Sequence, residues 1–418
     1  MSTRFHFTQA SEVLHAILTG RLPADNQMDR YFRAHPDMGV RDRGFVAETV
    51  YGCLRQKRVL EYIAGGSPNP SDLVAAYLLT QGSSARVLED AGYQGDARAL
   101  SERKRTLDKT TLSFGEQANL PDWLADKLRA QWGDAETLLL AEALNRPAPV
   151  DLRVNTVKAE RAQAQAQLAA EGFPMELTPY SPAGLRRDDR APLFRTKCFK
   201  DGLFEVQDEG SQLLSFLLEP KRHEMVVDFC AGAGGKTLHL GALMANAGTV
   251  YALDISAKRL DKLKPRLRRA GLSNVRMITI SHERDARVQR LRGKIDRVLV
   301  DAPCSGTGTL RRNPDIKWRE IDLAELAEAQ QRILVAAAEL VKPGGRVVYA
   351  TCSLLREEND DIVAAFLTAH PEFNIAPANE ILARRHVPLT MEDAALRLYP
   401  HRHRTDGFYA IALERKDG

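Results

Sequence analysis

Two short stretches carry side chains that could do covalent chemistry. Cys304 sits in Asp-Ala-Pro-Cys-Ser-Gly and Cys352 in Ala-Thr-Cys-Ser. Each follows an apolar run of strand length, so two thiols and the carboxyl of Asp301 can meet at neighbouring strand ends. A thiolate is a strong nucleophile, which makes covalent catalysis the sharp reading of the pair. A single cysteine is more often a small buried hydrophobe, the reading for Cys53, Cys198 and Cys230. A zinc site is the rival, but CxxC and HxxxH spacings are absent and no metal is expected. A redox pair stays open, although nothing favours disulfide geometry.

A second feature is the glycine loop Cys230-Ala231-Gly232-Ala233-Gly234-Gly235-Lys236-Thr237. It fails as a Walker A loop, because the position that needs the first glycine is Cys230. It fails as a dinucleotide fingerprint, because the third glycine position is Thr237. What remains is a loop that lets a bulky ligand approach backbone N–H groups at the start of a helix. Asp254 closes the next apolar run, where a carboxylate can accept both hydroxyls of a ribose. A glycine loop alone would be read as a tight packing turn at even odds. Together with that acid, and without a phosphate fingerprint, it suits adenosine joined to a non-phosphate group, with S-adenosylmethionine as the candidate.

These residues need a parallel sheet to position them. Between 226 and 353, apolar runs (VVDF, TVYALD, VRMITIS, DRVLVD, GRVVYA) alternate with helical patterns, the signature of strands with crossover helices. Ligands in such sheets bind at the carboxyl ends of the strands, where Asp228, Asp254, Asp301, Cys304 and Cys352 all fall. Upstream, 1–145 reads as helical, with apolar residues at three- and four-residue spacing (Phe45, Val46, Thr49, Val50, Leu54, Val59, Leu60, Ile63) and a stop at Gly65-Gly66. PDWLADKLRAQWGDAETLLLAEALNRP reads as a further helix pair, and Arg146-Pro147-Ala148-Pro149 as a boundary. Residues 146–218 read as a small α/β piece with strands at PVDLRVNTVK and FPMELTPY and a polar, turn-rich stretch over 181–190. Residues 219–418 form the main domain.

The 418 residues exceed one ordinary domain. Five cysteines without paired spacing point to a reducing compartment. No apolar run reaches membrane-spanning length, and the first ten residues lack a signal core. The expectation is a soluble cytoplasmic monomer. The net charge of +4 says little about partners.

At this depth the motifs resemble a known family. DFCAGAGGKT, DAPCSGTG, ATCS and the terminal TDGFYAIALER are similar to successive motifs of the RNA cytosine-5 methyltransferases, the RsmB/Sun and NOP/NSUN group. RVNT and VQDEGSQ resemble the RRM-like segment before that catalytic domain. DRGFVAETVYGCLR resembles the NusB-like RNA-binding domain of bacterial RsmB-type 16S ribosomal RNA enzymes. The resemblance implies an α/β fold: a Rossmann-like S-adenosylmethionine-dependent domain on a mixed seven-stranded sheet, preceded by the RRM-like segment and an all-α domain.

It also implies roles. Methylation of cytosine C5 needs a thiolate to add at C6, an acid at the N3 edge, and later loss of the C5 proton and of the thiol. The spacing gives no ground for choosing between the sulfurs; the family pattern favours Cys352 as nucleophile, Cys304 in product release and Asp301 at N3, with Lys236 orienting the base. Cofactor contacts are expected from 230–236 (Cys230, Ala231, Gly232, Ala233, Gly234, Gly235, Lys236), Asp254, Arg259, Asp285 and Asp301. The family loop usually reads CAAPGGKT, and the missing proline predicts a more flexible loop. The usual Gly-Asp after the third strand is replaced by Ser281-His282-Glu283-Arg284-Asp285, with Asp285 as the substitute.

RNA contacts are expected where cations meet aromatic rings: Arg311, Arg312, Lys317 and Trp318 just past the active-site loop, and Arg402 and Arg404 before the last strand. The helix around 258–269 is as basic, with a solvated face the even alternative. The substrate class is RNA, with small-subunit ribosomal RNA first and transfer RNA the alternative. A rival of another class is an RNA-binding assembly factor without turnover, against which the set Asp301, Cys304 and Cys352 argues. A DNA methyltransferase is disfavoured, since no target-recognition insertion follows Cys304.

Overall fold

The computed structural model describes residues 3–417. The chain divides into two compact units, one of residues 1–147 with 309–320 and one of 148–308 with 321–418.

The first unit is helical: α1 (Thr3–Thr19), α2 (Ala24–Ala34), α3 (Val40–Ala64), α4 (Pro70–Thr80), α5 (Ala85–Asp90), α6 (Ala97–Arg105), α7 (Phe114–Ala118) and α8 (Asp122–Leu144). The apolar periodicity of α3 buries Val46, Val50, Leu54, Leu60 and Ile63 against α1 and α4; Phe45 turns outward. Gly65 ends α3 with φ +75°, and Gly66 follows at +65°, the left-handed conformation that glycine enters freely. The expected helix pair after 120 is present: Gly133, at φ +74° and ψ 176°, interrupts α8.

Residues 309–320 complete this unit. Their short 3-10 helix Pro314–Trp318 lies against α3. Lys317 is 2% exposed, and its ammonium donates to the carbonyls of Arg55 and Asn119 at 2.9 Å and to Asn145 Oδ1 at 2.7 Å. Trp318 Nε1 donates to Leu54 O at 2.8 Å, and Arg55 donates to Arg311 O. Asp315 accepts the Ala24 N–H at the start of α2, where the helix leaves its amides unpaired. The expected RNA patch is therefore corrected for Lys317: its ammonium is buried and spent on three oxygens. Arg311 is buried too.

The second unit holds two sheets. Strands β1 (Val150–Val154), β2 (Glu176–Leu177), β3 (Gly184–Arg187) and β4 (Phe204–Val206) form an antiparallel sheet in the order β2-β3-β1-β4. Strand β3 falls in the stretch read as turns. Its arginines hid it, but Arg186 is neutralised by Asp151 across the sheet, at 2.6 and 2.8 Å.

The main sheet contains β5 (Met225–Asp228), β6 (Thr249–Asp254), β7 (Val275–Thr279), β8 (Ile295–Asp301), β9 (Val341–Thr351), β10 (Phe373–Ala376), β11 (Leu396–Leu398) and β12 (Phe408–Arg415). Seven strands run in the order β10-β12-β9-β8-β5-β6-β7, and β11 adds to β12 as an eighth. Strands β5 to β9 pair in parallel; β12 joins β9 antiparallel. The mixed sheet expected from the motifs is thus present, one short strand larger.

The helix Glu209–Leu218 is buried along its whole length, and Leu213, Leu214 and Leu217 share a core with Val226, Leu299 and Val348. The segments expected at 146–218 and 219–418 thus lie within one compact unit, apart from 309–320.

Among the described residues no helix is long and apolar enough to cross a membrane, and no group of three or more acidic, histidine or cysteine side chains could hold a metal.

Candidate functional site

The chain crosses from β5 to β6 and β7 on one side, then returns to β8 and β9 on the other. This reversal opens a crevice at the carboxyl ends of β5 and β8. Asp228, Asp254 and Asp301 are the last residues of β5, β6 and β8, and Cys352 follows β9.

The glycine loop leads from β5 into the helix Gly235–Leu243. Gly232 and Gly234 have φ of +57° and +84°, and a Cβ on Gly234 would stand 2.3 Å from the Leu263 side chain. Both glycines are required by shape. The expected flexibility is corrected by three braces. Gly232 N–H donates to Asp254 Oδ2 at 2.8 Å, Arg266 Nη1 to Ala233 O at 2.6 Å, and Arg153 Nη1 to Gly235 O at 2.7 Å. Arg266 is itself held by Glu205 of β4. Arg153, in the RVNT segment, and Arg266 were not singled out in the sequence. The arginine inside a strand was the available signal, since a buried guanidinium must find acceptors.

Asp254 is 4% exposed, and its Oδ1 also accepts the Ser256 N–H at 2.8 Å. Arg259 Nη1 stands 3.8 Å from it. Asp285 is corrected as an outward-facing contact. Ser281 N–H and O–H and three donors of Arg287 occupy its carboxylate, more donors than it has lone pairs. Those bonds, the Arg287 side chain first, hold its pKa far below the usual carboxylate range. Asp285 shapes its loop.

At the other end of the crevice, Lys236 Nζ donates to Asp301 Oδ2 at 2.6 Å. Burial acts to lower the lysine pKa, but the Asp301 charge and hydrogen bond overcome it and raise it. Asp228 is buried, accepts only the Thr237 hydroxyl at 2.7 Å, and is pushed by desolvation up to about 6.

Cys304 Sγ lies 3.4 Å from Cys352 Sγ. The bond to Cys352, then burial, raise the Cys304 pKa well above the usual thiol value. The contact with Cys352 and burial thus both favour the protonated form of Cys304. Cys230 is raised by burial and carries no thiolate either.

The two cysteine loops are knitted together. Gly308 N–H donates to Cys352 O at 2.8 Å, Leu354 N–H to Thr307 Oγ1 at 2.9 Å, and Gly407 N–H to Gly308 O at 2.8 Å. A Cβ on Gly308 would meet Gly407 O at 2.2 Å, so the approach is open only to glycine. Arg402 and Arg404 lie at and just after the one-turn helix Pro400–His403, 45% and 66% exposed along their side chains. Arg404 reaches Asp188 at 3.2 Å.

The site thus joins Lys236, Asp301, Cys304 and Cys352 at the carboxyl ends of the central strands, with Asp254 and the glycine loop beside them. Arg311, Lys317 and Trp318 belong to the helical unit.

Comparison with known proteins accords with this arrangement. The family described as 16S rRNA methyltransferase RsmB/F matches residues 215–414, and a ferredoxin-like domain of RsmF/B-like methyltransferases matches 120–193. A probable ribosomal RNA small subunit methyltransferase B of Synechocystis is 33% identical over 94% of this chain and 95% of its own. The mouse 28S rRNA (cytosine-C(5))-methyltransferase is 33% identical over 79% of this chain and 43% of its own. The crystal structure of PH0851 is similar at a TM-score of 0.80 and 26% identity, covering 99% of each chain. With the sheet, the crevice and two adjoining cysteines in place, the chain belongs to the RsmB/F family of 16S rRNA methyltransferases and is an RNA methyltransferase.

Proposed function

We propose that the chain methylates C5 of a cytosine in small-subunit ribosomal RNA, with S-adenosylmethionine as methyl donor. The observation that carries this reading is the 3.4 Å approach of Cys304 and Cys352 beside the Lys236–Asp301 pair. Few reactions on RNA need two thiols; addition to C6 of a pyrimidine and later elimination use both.

The residues present fit the donor. Asp254, with backbone N–H groups on both oxygens, keeps lone pairs for two ribose hydroxyls, and the glycine loop leaves room where side chains would intrude. When bound, the donor supplies the methyl group.

The protein's own groups do the rest. The Cys352 thiolate adds to C6, which turns C5 into a nucleophile. Asp301 and the Lys236 ammonium against it serve the N3 edge: as the thiolate adds, N3 takes up a proton that Lys236 supplies through Asp301, and it gives the proton back on elimination. Once Cys352 is bonded to C6, Cys304 loses the contact that held its proton, releases that proton to solvent and takes the C5 proton, and the C5–C6 double bond reforms as Cys352 leaves as a thiolate. Arg402 and Arg404 supply backbone charge contacts.

The test is bisulfite mapping of RNA treated with the purified chain and labelled S-adenosylmethionine. A single 5-methylcytosine in small-subunit ribosomal RNA is the expected result. Label on another base, or on another atom of cytosine, overturns the reading; a product confined to transfer RNA replaces the substrate; binding without turnover favours an assembly factor.

A further inference from the structure

Glu358 lies five residues beyond the Ala-Thr-Cys-Ser motif and is fully buried. Its carboxylate accepts from both cysteine loops. Oε1 takes the Ser305 N–H at 2.8 Å, and Oε2 takes the Ser305 hydroxyl at 2.5 Å and the Ser353 hydroxyl. Ser305 and Ser353 are the residues immediately after Cys304 and Cys352. Gln330 Nε2 donates to Glu358 Oε1 at 3.0 Å and to the carbonyl of Pro303, just before Cys304, at 2.9 Å. The Glu358 backbone is fixed as well: its carbonyl accepts from Tyr349 OH at 2.7 Å, and neighbouring Asn359 ties Thr351 and the Ser353 carbonyl.

All these donors are neutral hydroxyl or amide groups. Among the described residues no cation pairs with Glu358. A buried carboxylate without a counter-ion is costly and persists only where its hydrogen bonds are complete. Here they are complete, and they converge on the two residues that aim the thiols. We propose that Glu358 is the positioning residue of the site, fixing the separation and orientation of Cys304 and Cys352 through Ser305 and Ser353. The proposal rests on the reading of these cysteines as the catalytic pair. Its negative charge adds a second effect: it opposes ionisation of Cys304.

The test reads the thiols directly and needs no RNA. Full-length protein is alkylated with iodoacetamide across a pH series, and each cysteine is followed by peptide mass spectrometry. In the wild type, Cys304 should react only above the ordinary thiol range. In Glu358→Gln the Cys304 profile should move to lower pH, since a charge that opposes its ionisation is removed and the Ser305 contact is weakened. Turnover should fall about tenfold or more with KM for S-adenosylmethionine unchanged, because the cofactor contacts are untouched. Unchanged alkylation profiles in a folded Glu358→Gln protein overturn the proposal. If that variant does not fold, Ser305→Ala and Ser353→Ala decide. Each removes one hydroxyl contact to Glu358, the Ser305 N–H contact remaining, and should shift the alkylation profiles; profiles unmoved in both overturn the proposal. A wild type that shows this alkylation pattern but makes no 5-methylcytosine would remove the proposed reaction while leaving the role of Glu358 in setting the thiols standing.

Discussion

The sulfur of Cys304 lies 3.4 Å from that of Cys352, and the backbone N–H of Gly308 reaches the Cys352 carbonyl at 2.8 Å. The two thiols therefore form one unit, and their mutants should differ by order of action. Cys352→Ala should abolish both methylation and any covalent RNA complex. Cys304→Ala should still attack and methylate, then stall before elimination, and accumulate a methylated complex that survives denaturing electrophoresis. A complex with Cys352→Ala and none with Cys304→Ala would reverse the assignment.

The carboxylate of Asp254 faces the proposed ribose position with both oxygens already oriented by backbone N–H groups. Asp254→Ala should weaken S-adenosylmethionine binding by about 1.5–3 kcal/mol, the scale of lost charge-assisted hydrogen bonds. Calorimetry reads this directly; an unaltered affinity puts the ribose elsewhere.

Asp228 gives a pH signature. Burial raises its pKa to about 6, against 3.8 for the ordinary carboxyl. Between those values the folded protein keeps a proton that the unfolded chain has lost, so this group's contribution to stability falls as pH rises. The contribution is full below 3.8 and gone above about 6, a difference of about 3 kcal/mol. Asp228→Asn lacks this titration. Relative to wild type, its unfolding free energy should improve between pH 4 and pH 8 by that order, as read from denaturant melts. A constant difference across that range would show that Asp228 ionises normally.

Lys317 should matter for folding rather than for RNA. Burial holds its pKa well below the usual lysine value, and its three acceptors lose their donor in Lys317→Ala. The cost should be about 2–5 kcal/mol, from buried oxygens left unsatisfied. Faster amide exchange around Arg55 in α3 should accompany it, with S-adenosylmethionine affinity unchanged. Normal stability combined with weaker RNA binding would restore the surface role.

The exposed pair Arg402 and Arg404 should carry the opposite signature. Replacing both with Ala should leave thermal stability within about 0.5 kcal/mol. It should lower the slope of log affinity against log salt by about 1.5–2, the effect of two lost phosphate contacts. An unchanged slope removes them from the RNA path.

The sheet was legible because its strands are buried on both faces and read as near-continuous apolar runs, and the acids Asp228, Asp254 and Asp301 mark their ends without ambiguity. The cysteines were legible by type but not by role, since ionisation depends on which neighbour donates. Strand β3 was hidden because Arg186 finds its partner, Asp151, 35 residues away in sequence. Lys317 misled for a related reason: basic residues next to an indole look alike on a surface and in a buried joint. What separates them is a set of acceptors at Arg55, Asn119 and Asn145, too remote in sequence to be read from it.

The residence of 309–320 in the helical unit has a consequence for synthesis. A chain emerging from the ribosome delivers residues 1–147 first, but the lysine and indole that fill their joint arrive about 170 residues later. At about 5–20 residues per second, that delay is on the order of 8–30 s. Until then the Leu54 and Arg55 carbonyls of α3 lack their final donors. The helical unit must wait for the middle of the main sheet to be made, so the part translated first should be among the last to reach its native packing.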